Sequence, residues 1–287
     1  MTLQRSDFRH LHALRVRWAE VDMQQIVFNG HYLMYFDTAL ADYWRALALP
    51  YAESMQHFGG DLYVRKATLD YQGSARYDDV LDIGIRCTRI RTSSLLFHGA
   101  VMRGNDLLVS GELVYVFADP ATQTSRPVPP ALREVLEGFE AGQSMLEVRT
   151  GDWSTLGEAA RSIRTEVFID EQRIPAAMEW DASDATALHA VACNRLGFPL
   201  ATGRLAQEAP GLARIGRMAV RRPLRGGRAG RAVLDALIAL AARRGDGEIV
   251  LSAQLSAVPF YARAGFTQSG PGFEEAGIPH VEMRRSL

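Results

Sequence analysis

The chain has little cysteine, no long apolar run and no excess of either charge. Only Cys87 and Cys193 occur in 287 residues, far apart, which excludes a disulfide framework and a cysteine-rich zinc site. No metal site is expected. The opening MTLQRSDFRHLHALRV lacks the apolar core of a secretory signal, because His10, His12 and Arg15 interrupt it. The most apolar helical stretch, residues 232–242, carries Asp235 and falls far short of a bilayer span. The formal net charge is −1, so the overall balance calls for neither nucleic acid nor a membrane surface. These absences lead us to expect a cytoplasmic protein. What is present is a globular composition, 47% hydrophobic and 23% charged, at a length that suits about two domains.

The first half reads as one helix followed by long strands. Leu33, Phe36, Leu40, Tyr43 or Trp44, and Leu47 recur at helical spacing over residues 30–47. Strands are predicted over 12–18, 62–71, 80–90, 95–103 and 107–117. The strand at 80–90 alternates, with Leu81, Ile83, Ile85 and Cys87 on one face and Asp82, Gly84, Arg86 and Thr88 on the other. That is the pattern of an antiparallel strand with one buried face. Gly104-Asn105 with Asp106 marks the last hairpin turn. Asp119-Pro120 and the prolines at 127, 129 and 130 end the sheet, because proline cannot donate to a ladder. A short helix over 131–140 then leads to a domain boundary after residue 142. In the second half a helix is predicted at 153–164 and strands at 188–194, 199–205 and 213–220. A turn rich in glycine and arginine, a helix at 230–244, a strand at 248–253 and a helix at 257–264 complete it. Strand, glycine-rich turn, helix, strand is the order of an α/β layer that holds phosphates.

Asp22 stands just upstream of the first helix. A carboxylate can attack a thioester or activate water against it, provided donors stabilise the oxyanion. A helix N-terminus offers unpaired N–H groups and the positive end of its dipole, and Asn29 and Gly30 would supply them. A turn role for Asp22 and a capping role for Asn29 are the alternatives. His31 reads as a capping or packing residue, and Arg89 and Arg91 as solvated side chains rather than CoA phosphate contacts. The stretch VRWAEVDMQQIVFNGHYLMYFD resembles the active-site segment of hotdog-fold acyl-CoA thioesterases of the 4-hydroxybenzoyl-CoA thioesterase type. The shared features are the aspartate, Ile-Val-Phe, a helix opening before Tyr32, and Asp37 beyond. The resemblance covers about residues 8–140 and implies an antiparallel sheet around a central helix. It also implies Asp22 as the catalytic carboxylate, the Asn29 N–H polarising the thioester carbonyl, and an acyl-CoA site between the protomers of a homo-oligomer. The family commonly has glycine three residues after the aspartate, where this chain has Gln25.

Residues 214–231, RIGRMAVRRPLRGGRAGR, hold seven arginines and no acid. A glycine turn lets backbone N–H groups approach an anion, and the following helix adds its dipole. A solvated arginine face and a nucleic-acid patch are the alternatives. The second is weakened by the short length, the lack of interleaved aromatics and the apolar helix that follows. Residues 217–237 resemble motif A of the GNAT N-acetyltransferases, in which a strand precedes an Arg/Gln-x-x-Gly-x-Gly/Ala turn around the acetyl-CoA pyrophosphate. Arg225, Gly226, Gly227, Arg228, Ala229 and Gly230 fill the six positions, with Arg231 next; the fourth, usually glycine, is Arg228. AVPFYARAGF is similar to the later motif whose tyrosine, here Tyr261, faces the sulfur of CoA. RTEVFIDEQ and EEAGIPHVEM are similar to the ElaA-type branch.

This second resemblance spans about residues 147–287 and implies a mixed α/β sheet. It places the strand backbone of Met218, Ala219 and Val220 against pantetheine and acetyl, with Tyr261 protonating the departing thiolate. A core aromatic beside Phe260 and Phe266 is the alternative for Tyr261, and Glu171, Glu179, Asp181 and His189 are candidate bases with a structural role as the alternative for each. The expectation is an α+β chain of a hotdog domain, 1–142, and a GNAT domain, 143–287. It would hydrolyse acyl-CoA in the first and carry an acetyl group from acetyl-CoA to an amine in the second. CoA thioesters would be its substrates, with no tightly bound cofactor. In one alternative a single half is catalytic and the other serves oligomerisation or acyl-CoA sensing; in another the chain is a non-enzymatic acyl-CoA-binding regulator.

Overall fold

The computed structural model describes residues 3–287, and the chain divides into two compact units between Met145 and Leu146. Among the described residues no helix is long and apolar enough to cross a membrane.

The first unit runs β1 (Leu11–Arg15), α1 (His31–Ala46), α2 (Tyr51–Phe58), β2 (Asp61–Tyr71), β3 (Val80–Ile90), β4 (Ser94–Arg103), β5 (Asp106–Ala118) and α3 (Pro130–Glu140). Its five strands are antiparallel throughout, in the order β1-β3-β4-β5-β2. The alternation expected in β3 is observed, with Leu81, Ile83, Ile85 and Cys87 all buried. Gly84 is buried too, since Phe8 covers it and a Cβ there would stand 2.4 Å from that ring. The sheet packs on α1, which buries Tyr35, Phe36, Leu40 and Tyr43. Gly99 and Gly111 face each other across β4 and β5. Their missing side chains form a notch for Phe36, because a Cβ would lie 2.5 Å from its ring at Gly99 and 2.9 Å at Gly111. Burying that phenylalanine contributes roughly 1.5–3 kcal/mol. At the sheet edge, β2 is paired on one side only and exposes Tyr63, Val64 and Tyr71.

The second unit runs β6 (Leu146–Gly151), α4 (Trp153–Arg164), a π-helical continuation (Thr165–Glu171), α5 (Ala176–Glu179), β7 (Leu188–Asn194), β8 (Pro199–Ala209) and β9 (Leu212–Val220). It continues with α6 (Ala229–Arg244), β10 (Glu248–Gln254), α7 (Val258–Ala262), β11 (Thr267–Glu275) and β12 (Ile278–Ser286). The seven strands lie in the order β11-β12-β10-β9-β8-β7-β6, and only β9 and β10 are parallel. Helices cover both faces. Ala190 and Ala192 of β7 pack with Val233 and Leu237 of α6, whereas Val191 and Cys193 pack with Leu156 and Ala160 of α4. This two-sided burial explains why β7 reads as a continuous apolar run rather than an alternation. The Asp152 side chain starts α4 by accepting from the Thr155 N–H at 2.9 Å. Gly245, with φ of 88°, ends α6 in the left-handed region.

Beneath α4 lies a buried ionic network. Arg164, 1% exposed, donates to Glu179 and, at 2.8 Å, to Asp184. Its guanidinium lies 4.7 Å from the Trp180 ring centre. Arg204 donates to Asp184 at 2.9 Å and to Asp181 at 2.7 Å.

Candidate functional site

In the first unit the loop before α1 is built around Asp22. Val21 and Val27 form an antiparallel bridge. Between them the Asp22 N–H donates to the Ile26 carbonyl at 2.9 Å, and the Asp22 carbonyl accepts from the Gln25 N–H at 2.9 Å. The Asp22 carboxylate holds the turn as well, its Oδ1 accepting from the Gln24 N–H at 2.8 Å. Gln25 adopts φ of 61°, so it makes the left-handed turn for which glycine is the unstrained residue.

Glu20 braces this loop from below. Its carboxylate accepts from the Tyr35 hydroxyl at 2.8 Å and from the Arg17 N–H at 2.7 Å, and its carbonyl accepts from the Phe28 N–H at 2.9 Å. Burial pushes the Glu20 carboxyl up, but the Arg17 guanidinium, which donates to it at 2.8 Å, together with the Arg17 N–H and the Tyr35 hydroxyl, outweighs it and holds the group below the usual carboxylate range. The helix opens immediately afterwards, and the Tyr71 hydroxyl donates to the Asn29 carbonyl at 3.3 Å. Among the described residues no carbonyl accepts from the Asn29 or Gly30 N–H, so these donors remain open beside the loop. Asp22 is half-buried. His31 packs edge-on to Phe28 at 6.0 Å and its Nδ1 is buried without a partner among the described residues. Around the loop Met23, Phe28, Leu33 and Met34 are exposed. Arg89 and Arg91 are exposed as well.

The second unit carries its candidates around a cavity. Strands β9 and β10 pair only from Leu212 and Glu248 to Ile215 and Leu251, and beyond that point they are no longer paired. A cavity of about 300 Å³ borders the unpaired stretch, with Met218, Gln254, Tyr261, Glu179 and His280 on its wall. A bulge in β9 at Arg217, φ of 53°, shifts the register against β8 and helps aim Met218. Ala219 is buried against the α4 layer, and the Val220 carbonyl accepts from Arg225 Nε at 3.0 Å. Gly226 turns the chain with φ of 80°. Among the described residues no carbonyl accepts from the N–H groups of Arg228, Ala229, Gly230 or Arg231, the open end of α6. A Cβ on Gly230 would stand 3.0 Å from Val220 and 3.8 Å from Phe260, so α7 lies beside this turn.

The arginine concentration has a different meaning in three dimensions. Five of the seven are paired with acids from elsewhere in the chain: Arg214 with Glu208, Arg217 with Asp181, Arg221 with Glu166, Arg225 with Glu171, and Arg231 with Asp235. Arg225 is held by two bonds of 2.6 Å, which tie the turn to the π-helical segment. Arg222 and Arg228 form no ion pair among the described residues. Within the turn, Arg225 is therefore engaged by an acid and Arg228 is not.

Tyr261 is 7% exposed, flanked by Phe260 and Phe266 at 5.0 and 6.0 Å, and burial pushes its hydroxyl up to about 12. Of the candidate bases only Glu179 borders the cavity. Glu171 is held by Arg225, Asp181 by Arg204 and Arg217. His189 is buried under Trp153, its Nε2 3.0 Å from the Asp184 carbonyl, and burial lowers it below the usual range. His280, which also borders the cavity, is marked in the sequence by its place in the EEAGIPHVEM segment.

Comparison with known proteins follows the same division. The thioesterase superfamily model matches residues 24–110, beginning just after Asp22, and the acetyltransferase (GNAT) domain model matches residues 157–287. The chain is 34% identical to "Uncharacterized N-acetyltransferase YjcF" of Bacillus subtilis, over 43% of this chain and 87% of that protein. It is 28% identical to "Acyl-CoA thioester hydrolase YbgC" of Escherichia coli, over 42% of this chain and 89% of that protein. The crystal structure of Escherichia coli ElaA is similar at 26% identity and a TM-score of 0.45, over 49% of this chain and 99% of that one. The chain thus belongs to two families, joining a hotdog domain of the thioesterase superfamily to a GNAT acetyltransferase domain.

Proposed function

We propose that the chain runs two reactions on CoA thioesters, hydrolysis of acyl-CoA in the first unit and transfer of acetyl from acetyl-CoA to an amine in the second. One observation carries the reading. In each unit a helix N-terminus with open amides stands beside the candidate residues, at Asn29 and Gly30 before α1 and at Arg228 to Arg231 on α6. Such donors suit an oxyanion in one case and a pyrophosphate in the other.

In the hydrolytic unit the Asn29 N–H polarises the thioester carbonyl. The Asp22 carboxylate attacks it or takes a proton from attacking water, and CoA leaves as the thiolate. The exposed apolar residues around the loop and the half-paired edge of β2 support a second copy as the missing wall. A symmetric dimer covers such edges most simply. In the transfer unit the turn from Arg225 to Arg231 holds the pyrophosphate, and the thioester runs along Met218 to Val220 toward Tyr261. With its hydroxyl at about 12 against a free thiol near ~8.5, Tyr261 keeps its proton until the thiolate forms. Its contribution is then a hydrogen bond that strengthens as charge develops on sulfur. Tyr261→Phe should lower kcat for amine acetylation by about 10²-fold with little change in acetyl-CoA affinity.

The test is release of free CoA from a panel of acyl-CoAs, with and without primary amines. Amine-independent release reports the first unit and amine-dependent release the second. A chain that releases CoA under neither condition refutes the reading, and binding without turnover would favour an acyl-CoA-sensing protein.

A further inference from the structure

We propose that His280 is the proton acceptor of the transfer reaction. The inference deepens the acetyltransferase reading and rests on it. His280 lies on β12, opposite Gln254 of β10 and Phe273 of β11. It is 9% exposed and borders the same cavity as Tyr261 and Met218. Its Nδ1 is 2.8 Å from the Ile278 carbonyl oxygen. A carbonyl can only accept, so Nδ1 carries the hydrogen and donates. In a neutral imidazole that leaves Nε2 with its lone pair unprotonated. Among the described residues Nε2 has no partner. The ring is stacked on Phe273, with centres 5.9 Å apart and planes 20° from parallel, which fixes its orientation. The one unused polar atom of this ring is therefore a base.

The other groups on the wall are less suited. The Glu179 carboxylate accepts from Arg164 and lies 3.4 Å from Arg217. Glu275 is exposed to solvent, and a carboxylate is a weaker base than an imidazole. In the step itself the amine lone pair forms the C–N bond at the acetyl carbon, and the nitrogen proton passes to His280 Nε2. The C–S bond breaks with its electron pair leaving on sulfur, where the Tyr261 hydroxyl donates a hydrogen bond to the thiolate, and CoA departs and takes its proton from solvent. The imidazolium then returns its proton to solvent, and the products are an N-acetylated amine and free CoA.

The experiment uses the full chain, wild type and His280→Gln, with acetyl-CoA and the primary amine that wild type acetylates best. Glutamine can still donate to the Ile278 carbonyl but lacks a basic nitrogen. We expect kcat to fall by about 10²-fold while the Kd for acetyl-CoA, measured by calorimetry, stays within about twofold. Long-range ¹⁵N correlation spectra should place the His280 hydrogen on Nδ1. Wild-type kcat in His280→Gln, or a hydrogen on Nε2, overturns the inference and leaves the acetyltransferase reading standing. A wild type that binds acetyl-CoA yet acetylates no primary amine takes down that reading, and this inference with it.

Discussion

Asp22 stands half-buried in a loop flanked by exposed Met23 and Phe28, whereas Tyr261 is sunk in a cavity that its own unit walls. The two candidate centres thus differ in what they need. The first presents open donors beside exposed apolar side chains, where water is a ready nucleophile. The second has enclosure from strand divergence, and an enclosed site suits transfer because it keeps water from competing with the amine. Under the proposed function, the same chemical class of substrate would meet an open carboxylate in one unit and a sheltered hydroxyl in the other.

The sharpest way to break this contrast is Asp22→Asn. Asparagine keeps an oxygen to accept from the Gln24 N–H, so the loop should survive, while amine-independent CoA release should fall by ~10²–10⁴-fold. Amine-dependent release should be unchanged. If hydrolysis persists at the wild-type rate, Asp22 is a turn residue only. Next in size is Arg164→Met, which takes the buried cation from between Glu179 and Asp184 and leaves them only Arg217 and Arg204. A loss of about 3–5 kcal/mol is expected, read in calorimetry as a lower Tm for the second unit alone. A single shifted transition for the whole chain would show that the units do not unfold separately.

Dilution sharpens the contrast from the other side. If a second copy completes the first site, hydrolysis per mole should decline across the concentration range where ultracentrifugation reports monomers. Acetyl transfer per mole should stay constant. Equal behaviour of both activities would count against a shared hydrolytic site. The smallest effect concerns pH. Burial holds His189 below its usual range, so the unfolded chain takes up a proton that the folded unit refuses. Stability of the second unit is therefore present above about pH 6.5 and declines as pH falls below it. Asp184, held low by Arg164 and Arg204 against its own burial, adds a further loss below about pH 3.8. Urea midpoints at pH 7 and pH 5 should differ for wild type and much less for His189→Gln.

Periodicity made much of this fold legible. The elements β3, α4 and β7 run over the residues expected of them, because alternation, a capping Asp152 and a doubly covered apolar run are local signals. Other elements escaped. Helix α2 has only eight residues and is bounded by Pro50 and a left-handed Gly59, so it resembles a loop in composition. The hairpin of β11 and β12 contains Gly270, Pro271 and Gly272 with a register shift, which breaks any period of two. The site was legible where motifs carried it and opaque where partners came from afar. Nothing near Arg225 foretells Glu171, and nothing near Arg217 foretells Asp181. The tautomer of His280 depends on one carbonyl, and the value of Nε2 depends on a cavity assembled from eight separate elements.

The notch that Gly99 and Gly111 leave for Phe36 acts as a keyway. An α-helix that slips by one residue advances about 1.5 Å and rotates about 100°, and Phe36 is the ring of α1 seated in this slot. Phe36 therefore sets the angular phase of the helix, and the phase decides which way its first amides point. Asn29 lies seven residues back, about 10 Å along the axis, yet its direction is read out from the sheet. Methyl groups added in β4 or β5 would turn the shaft, and the altered aim would be felt at the far end.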